Sequence, residues 1–262
     1  MSTNYPNALV VKDLDFGYQR GETLVLSGLS LNLSGGTVLA VVGPNGSGKS
    51  TLLHLLSGRL IPWKGKISMY GRIVSDLESK DRGKVVGLVP QSESIPLPYS
   101  VPDYVLLGRV PYLDYLSAPL EEDRQLALQC LEDLGVPLLR NRKLDELSAG
   151  ELRMVQLART MIQQCRILLL DEPVAHLDLS LRTRMQEIIR LLGQAGKTVV
   201  FTTQDFETAA AAADRVLVLG RGRAWAEGAP REALTGENLS DAYGKEVEVR
   251  WVEDHPLVSM PG

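Results

Sequence analysis

The sequence predicts an α/β fold: one α/β core carrying an N-terminal antiparallel β subdomain and an inserted α-helical subdomain. Three observations predict it. The apolar runs Val38 to Val42 and Ile167 to Leu170 are strand-sized and continuous, as expected of strands buried on both faces. The first leads directly into Gly43-Pro44-Asn45-Gly46-Ser47-Gly48-Lys49-Ser50-Thr51, after which Leu52, Leu53, Leu55 and Leu56 line one side of a helix read as Thr51 to Leu60. From about Pro96 to Met161 the pattern turns helical, with Glu121 to Leu134 and Glu151 to Met161 as its long segments.

The elements follow in order. Leu9 to Val11, Leu14 to Tyr18 and Leu29 to Leu33 read as strands, and the alternation of the last suits a half-buried antiparallel strand. After the helical insert come the strand Ile167 to Leu170, a helix at Leu181 to Leu192 and the strand Thr198 to Thr202. The alanine run Ala209 to Ala213 reads as a helix, Val216 to Leu219 as a strand before the turn Gly220-Arg221-Gly222, and Val247 to Trp251 as a last strand. The expected organisation is a single domain: residues 1–95 and 162–228 form the core with its β subdomain, 96–161 the helical subdomain, and 229–262 a short C-terminal extension.

Composition narrows the function. A chain of 262 residues with 44% hydrophobic and 23% charged residues is ordinary for a globular protein. A net charge of −4 gives no general attraction to nucleic acid, and no nucleic-acid partner is expected. No apolar stretch approaches the roughly 18 to 20 residues that cross a bilayer. The start, Met1 to Pro6, lacks the basic flank and apolar core of a signal peptide, so a cytoplasmic location is expected. Cys130 and Cys165 fit no metal or redox spacing.

The glycines of 43–51 let backbone N–H groups close around phosphates at a helix N-terminus, where the helix dipole favours anions. Lys49 adds a cation, and the Ser50 hydroxyl is suited to Mg²⁺. Asp171 and Glu172 end a buried strand, placing two carboxylates at its mouth: Asp171 for the magnesium shell, Glu172 for polarising an attacking water. Leu147-Ser148-Ala149-Gly150-Glu151 opens a helix and reads both as an N-cap and as a second anion site.

Together these motifs resemble the ATP-binding subunit of ABC transporters, a P-loop NTPase, and the resemblance runs from about Leu9 to Gly228. It implies ATP and Mg²⁺ as cofactors and a homodimer in the ATP-bound state, each ATP held by the P-loop of one copy and by Ser148, Ala149, Gly150 and Asp178 of the other. It implies that Tyr18 stacks on adenine and that Gln91 is a hinge glutamine touching the metal. It further implies polytopic membrane permease subunits, indirectly an extracytoplasmic substrate-binding protein, and a place on the cytoplasmic face of the membrane.

The chain departs from the family's pattern at Gln204, before Asp205, where a histidine normally contacts the γ-phosphate. None of His54, His176 and His255 can fill that slot. Either hydrolysis is slowed while ATP still closes the dimer, or the glutamine amide donates the same hydrogen bond. Ala149 replaces a glycine, which requires negative φ there, and Glu151 replaces a glutamine. His176 is read as a subunit-interface residue. The stretches Val89 to Val101, Val105 to Arg109, Ala175 to Leu179 and Pro230 to Thr235 are similar to importers of iron–siderophore, haem or cobalamin chelates. An exporter subunit with a separate permease, or a soluble non-transport ATPase of the same family, is the alternative.

Overall fold

The computed structural model describes residues 5–19, 23–93, 95, 97–114 and 117–260. Ser94 and Pro96, within the stretch Val89 to Val101, lie outside the described residues. In chain order, β1 (Leu9–Phe16), β2 (Leu26–Leu33) and β3 (Val38–Val42) precede α1 (Lys49–Leu56). Next come β4 (Lys64–Met69), β5 (Arg72–Ile73), α2 (Ser79–Val85) and β6 (Val86–Val89). The helical segment contains α3 (Val101–Leu106), α4 (Glu121–Asp133) and α5 (Ala149–Ile162). Then follow β7 (Ile167–Leu170), α6 (Leu179–Gln194), β8 (Thr198–Thr203), α7 (Phe206–Ala212), β9 (Arg215–Gly220) and β10 (Arg223–Gly228). The tail holds α8 (Pro230–Ala233), α9 (Gly236–Tyr243) and the hairpin β11 (Glu248–Val252) and β12 (His255–Ser259).

The central sheet has the order β10-β9-β3-β8-β7-β6, with β9, β3, β8, β7 and β6 parallel and β10 antiparallel at one edge. A separate antiparallel sheet has the order β2-β1-β4-β5. The continuous apolar runs are explained by two cores, one on each face of the central sheet. Leu39 and Val41 of β3 point to one face, where α1 and the antiparallel sheet supply Leu52, Leu53, Leu56, Leu14 and Leu31. Val38, Ala40 and Val42 point to the other, and that core continues through Leu168, Phe201 and Ile189 into Tyr104, Leu131 and Met154 of the helical segment. Burying both faces leaves β3 and β7 entirely apolar, while the threonines of β8 are themselves fully buried.

Three differences from the sequence reading have a clear physical cause or consequence, beyond shifts of a few residues at other element ends. Residues 9–16 form one strand rather than two, with an irregularity where Asp13 adopts φ 46°. The helix after the glycine-rich loop stops at Leu56 instead of Leu60, because Gly58 turns left-handed at φ 71° and its N–H closes on Leu55 O. The tail beyond Gly228 is more structured than a single strand. Its hairpin packs on α7, where Nδ1 of His255 lies 3.3 Å from a Glu207 carboxylate oxygen.

Both cysteines are buried and free, and burial pushes Cys130 up to about 12 and Cys165 up to about 11, so neither is a thiolate nucleophile. Among the described residues no helix is long and apolar enough to cross a membrane. Phe201, fully buried in the central β8, should be a stability keystone. Phe201→Ala is expected to lower unfolding free energy by about 3–5 kcal/mol in a denaturant titration; a loss below about 1 kcal/mol would contradict this packing.

Candidate active site

The parallel register sets the site. β3, β8, β7 and β6 are neighbours, and Val42, Thr203, Leu170 and Val89 stand near their common carboxyl end. The residues that follow are therefore delivered side by side: the loop from Gly43, then Gln204, then Asp171 and Glu172, then Pro90 and Gln91. A crevice at strand carboxyl ends is where open α/β sheets bind ligands. Here it is a cleft of about 330 Å³, within the roughly 300–1,000 Å³ of small-molecule sites. Tyr18, Gly46, Lys49, Ser50, Gln91, Glu172 and Gln204 are among its walls.

The loop is built by close backbone approach. Gly43 adopts φ 154°, and a Cβ there would run into the carbonyl oxygen of Leu219 on β9. Gly48 caps α1 at φ 102° and lies against the Leu26 side chain. Lys49 is buried, and its Nζ donates to Gly43 O at 2.8 Å and Pro44 O at 3.1 Å. Burial pulls the ammonium below the usual lysine range, while Glu172 and Asp171 oppose that shift. The Ser47 hydroxyl is buried with no hydrogen-bond partner among the described residues, a free donor in a loop suited to anions.

The two carboxylates are fixed by a residue that the sequence reading placed in a strand and gave no role in the site. The Thr202 hydroxyl donates to Asp171 Oδ1 at 2.6 Å and accepts from the Glu172 N–H at 2.9 Å. Ser50 Oγ donates to the same Asp171 oxygen at 3.1 Å, so a hydroxyl and a carboxylate converge as the oxygen donors a hard divalent cation takes. Glu172 is buried and sits at φ 48°, a left-handed backbone uncommon outside glycine and frequent at functional sites. The Gln204 amide donates to Glu172 Oε1 at 3.3 Å. The sequence signal for Thr202 was only its place as one of three threonines in a short strand.

Tyr18 is 64% exposed on the cleft wall, its hydroxyl 3.0 Å from Thr51 Oγ1 and its ring edge-to-face with Phe16 at 5.3 Å. None of the three histidines lines this cleft; His176 is exposed with φ 61°. Ser148, Ala149, Gly150 and Asp178 also lie outside it. Ser148 instead caps α5, accepting from the Glu151 N–H at 3.2 Å while its own N–H donates to the Glu151 carboxylate at 2.8 Å. That box holds the Glu151 carboxyl below its ordinary range. Ala149, the first residue of α5, has no positive φ, and Gly150 packs against Leu181 and Leu177. Asp178 caps α6, accepting from the Leu181 N–H at 2.8 Å.

Comparison with known proteins agrees with this geometry. A family model described as ABC transporter matches residues 26–175. The chain is 36% identical over 241 residues to the hemin import ATP-binding protein HmuV of Thermobifida fusca, covering 92% of this chain and 83% of that one. It is 37% identical over 237 residues to the molybdate import ATP-binding protein MolC of Haemophilus influenzae, covering 90% and 88%. Among solved structures, an inward-facing transporter assigned to the metal-chelate ABC type superposes with TM-score 0.82 at 34% identity, covering 96% and 95% of the two chains. The dimeric bacterial cassette MJ0796 gives TM-score 0.76 at 29% identity, covering 85% of this chain and 99% of that one.

Thr202→Val keeps the shape of the side chain but removes the hydroxyl shared by Asp171 and the Glu172 amide. Leaving a buried amide unsatisfied should cost about 1–3 kcal/mol of stability. The same substitution should lower ATP turnover about tenfold or more, with nucleotide affinity largely retained. Steady-state kinetics beside equilibrium nucleotide binding checks this; unchanged turnover would remove Thr202 from the site.

Proposed function

The chain belongs to the ABC transporter family and is one of its ATPases, and from that premise we propose that it powers an importer of metal chelates of the iron–siderophore, haem or cobalamin type. The observation that carries the mechanism is the split of the site. Lys49, Ser50, Glu172 and Gln204 line one cleft, whereas Ser148 to Gly150 and Asp178 do not reach it. On this reading a second copy supplies them, and two copies enclose two ATP molecules. The Ser148 hydroxyl then faces the γ-phosphate held by the other copy's loop.

Within each cleft Lys49 exchanges carbonyl acceptors for phosphate oxygens, the loop amides cradle them, and Tyr18 carries the adenine. Mg²⁺, when bound, neutralises charge on the phosphate oxygens; Ser50, Asp171 and Gln91 would hold it. Glu172 accepts the proton of the attacking water, and Gln204 orients the carboxylate that does so. An amide cannot exchange a proton as an imidazole can, so hydrolysis is slowed at this position. Closure transmits work to the permease, and hydrolysis resets the pair.

Import is favoured over export by the relatives named for hemin import and by the likeness to a metal-chelate transporter over nearly the whole chain. A groove of about 390 Å³ between core and helical segment, lined by Arg59, Arg82, Leu107, Val110 and Arg159, suits a helix of a membrane permease. The subunit then sits on the cytoplasmic face of the membrane, with an extracytoplasmic binding protein delivering the solute. Extraction of the tagged chain with its partners, followed by reconstitution in vesicles, tests this. ATP-dependent chelate accumulation on the side bearing the ATPase is expected; movement away from that side would favour an exporter, and recovery without a polytopic partner would defeat both.

Two further outcomes follow. Glu172→Gln should bind ATP without hydrolysing it and run at twice the 28.7 kDa monomer mass by light scattering only when ATP is present. Gln204→His should raise turnover by about tenfold or more and add an inflection near pH ~6.5 to the rate profile; an unchanged rate and profile would show that the glutamine does not limit hydrolysis.

A further inference from the structure

None of the residues lining the cleft comes from the tail beyond Gly228, yet α9 ends against the carboxyl end of β9, beside the glycine-rich loop. The Ala242 backbone lies so close to Gly220 that a Cβ on Gly220 would come within 2.6 Å of it. Gly220 follows Leu219, whose carbonyl oxygen is the atom that a side chain on Gly43 would strike. α9 closes at Gly244, left-handed at φ 65°. The residue before it, Tyr243, is half-buried, its ring 6.0 Å from that of Phe206 and inclined at 58°. Phe206 opens α7 two residues after Gln204. Burial pushes the Tyr243 phenol up to about 12, with the Glu172 charge acting in the same direction, so the ring stays neutral beside the site.

Gln204 needs support of this kind. It is exposed, and its link to the catalytic carboxylate is one hydrogen bond at 3.3 Å, long for such a contact. Where its amide stands is therefore set by the chain on either side. Before it, β8 is fixed in the sheet. After it, Asp205 caps α7, accepting from the Glu207 N–H at 3.0 Å and from the Thr208 hydroxyl at 2.7 Å. α7 has seven residues, too few to hold a helix without tertiary contacts, and the tail supplies some of these through Tyr243 and β12. The His255–Glu207 pair is exposed on both sides and contributes little, so the hold rests on the aromatic contact.

We propose that Tyr243 is a positioning residue for ATP hydrolysis: packed on Phe206, it fixes the start of α7 and thereby the Gln204 amide against Glu172. The tail is then a working part of the ATPase. The inference rests on the role given above to Gln204.

The test is a double-mutant cycle on the full chain: Tyr243→Ala, Gln204→Ala and the two together. Turnover is followed with radiolabelled ATP, which reads slow variants, beside equilibrium nucleotide affinity. Tyr243→Ala is expected to lower turnover about tenfold with ATP affinity within about twofold of the parent. Tyr243→Phe, which keeps the ring, should restore most of the rate. On the Gln204→Ala background, Tyr243→Ala should lower turnover by less than about a further twofold, because both act through one group. A loss that multiplies in full on that background is the mark of a purely structural role and overturns the proposal. An unchanged rate for Tyr243→Ala overturns it as well. If Tyr243→Ala fails to fold, Phe206→Leu, which removes the other ring and keeps the position apolar, carries the same cycle with the same expectations. Gln204→Ala separates the two levels. If it turns over at the parent rate, the reading of Gln204 falls and the positioning with it; if it is impaired while Tyr243→Ala is not, the positioning alone is wrong.

Discussion

The hydroxyl of Thr202 joins two strands at the point where the chemistry happens. It donates to Asp171 and accepts from the Glu172 amide, so the end of β7 cannot move relative to β8 without breaking a buried pair of hydrogen bonds. Ser50, at the start of α1, shares the same Asp171 oxygen and brings the end of β3 into the same unit. Three strand ends are thereby held as one surface, and the left-handed backbone of Glu172 is held against its own preference. The apolar packing on both faces of the sheet supplies the rigidity that makes such a short-range network sufficient.

Electrostatically the cleft is built from opposed charges in a poorly solvated place. Lys49 is buried beside two carboxylates that raise its pKa while burial lowers it. A polyanion entering beside Lys49 meets a glycine-rich loop with a buried, unpartnered Ser47 hydroxyl, a preorganised arrangement of the kind that makes electrostatic stabilisation effective.

Much of this was legible in the sequence because it rests on local patterns. The loop 43–51 between an apolar strand and a leucine-lined helix, and the acidic pair closing Ile167 to Leu170, are signals that need no tertiary knowledge. Ser148 as a helix cap was equally plain, and its capping box with Glu151 explains why a glutamate serves there. What was not legible depends on partners far apart in sequence. Thr202 matters only through groups about 30 residues away, which no spacing rule connects. The strand Lys64–Met69 escaped because lysine, glycine and serine dilute its apolar alternation, and Gly58 ended α1 before its leucine pattern ran out. The helices and hairpin of the tail were hidden by their shortness.

The continuity of α5 has a mechanical meaning. At about 1.5 Å per residue its 14 residues make a rod roughly 21 Å long. Past Gly150 it contains neither glycine nor proline, so it has no built-in joint at which to bend. One tip is capped by the exposed Ser148; near the other, Arg159 borders the groove between core and helical segment. Such a strut can tilt or roll but cannot shorten. Displacement along its axis at either tip must therefore appear at the other at nearly full amplitude, while a rotation of its seat swings the far tip through an arc set by the angle.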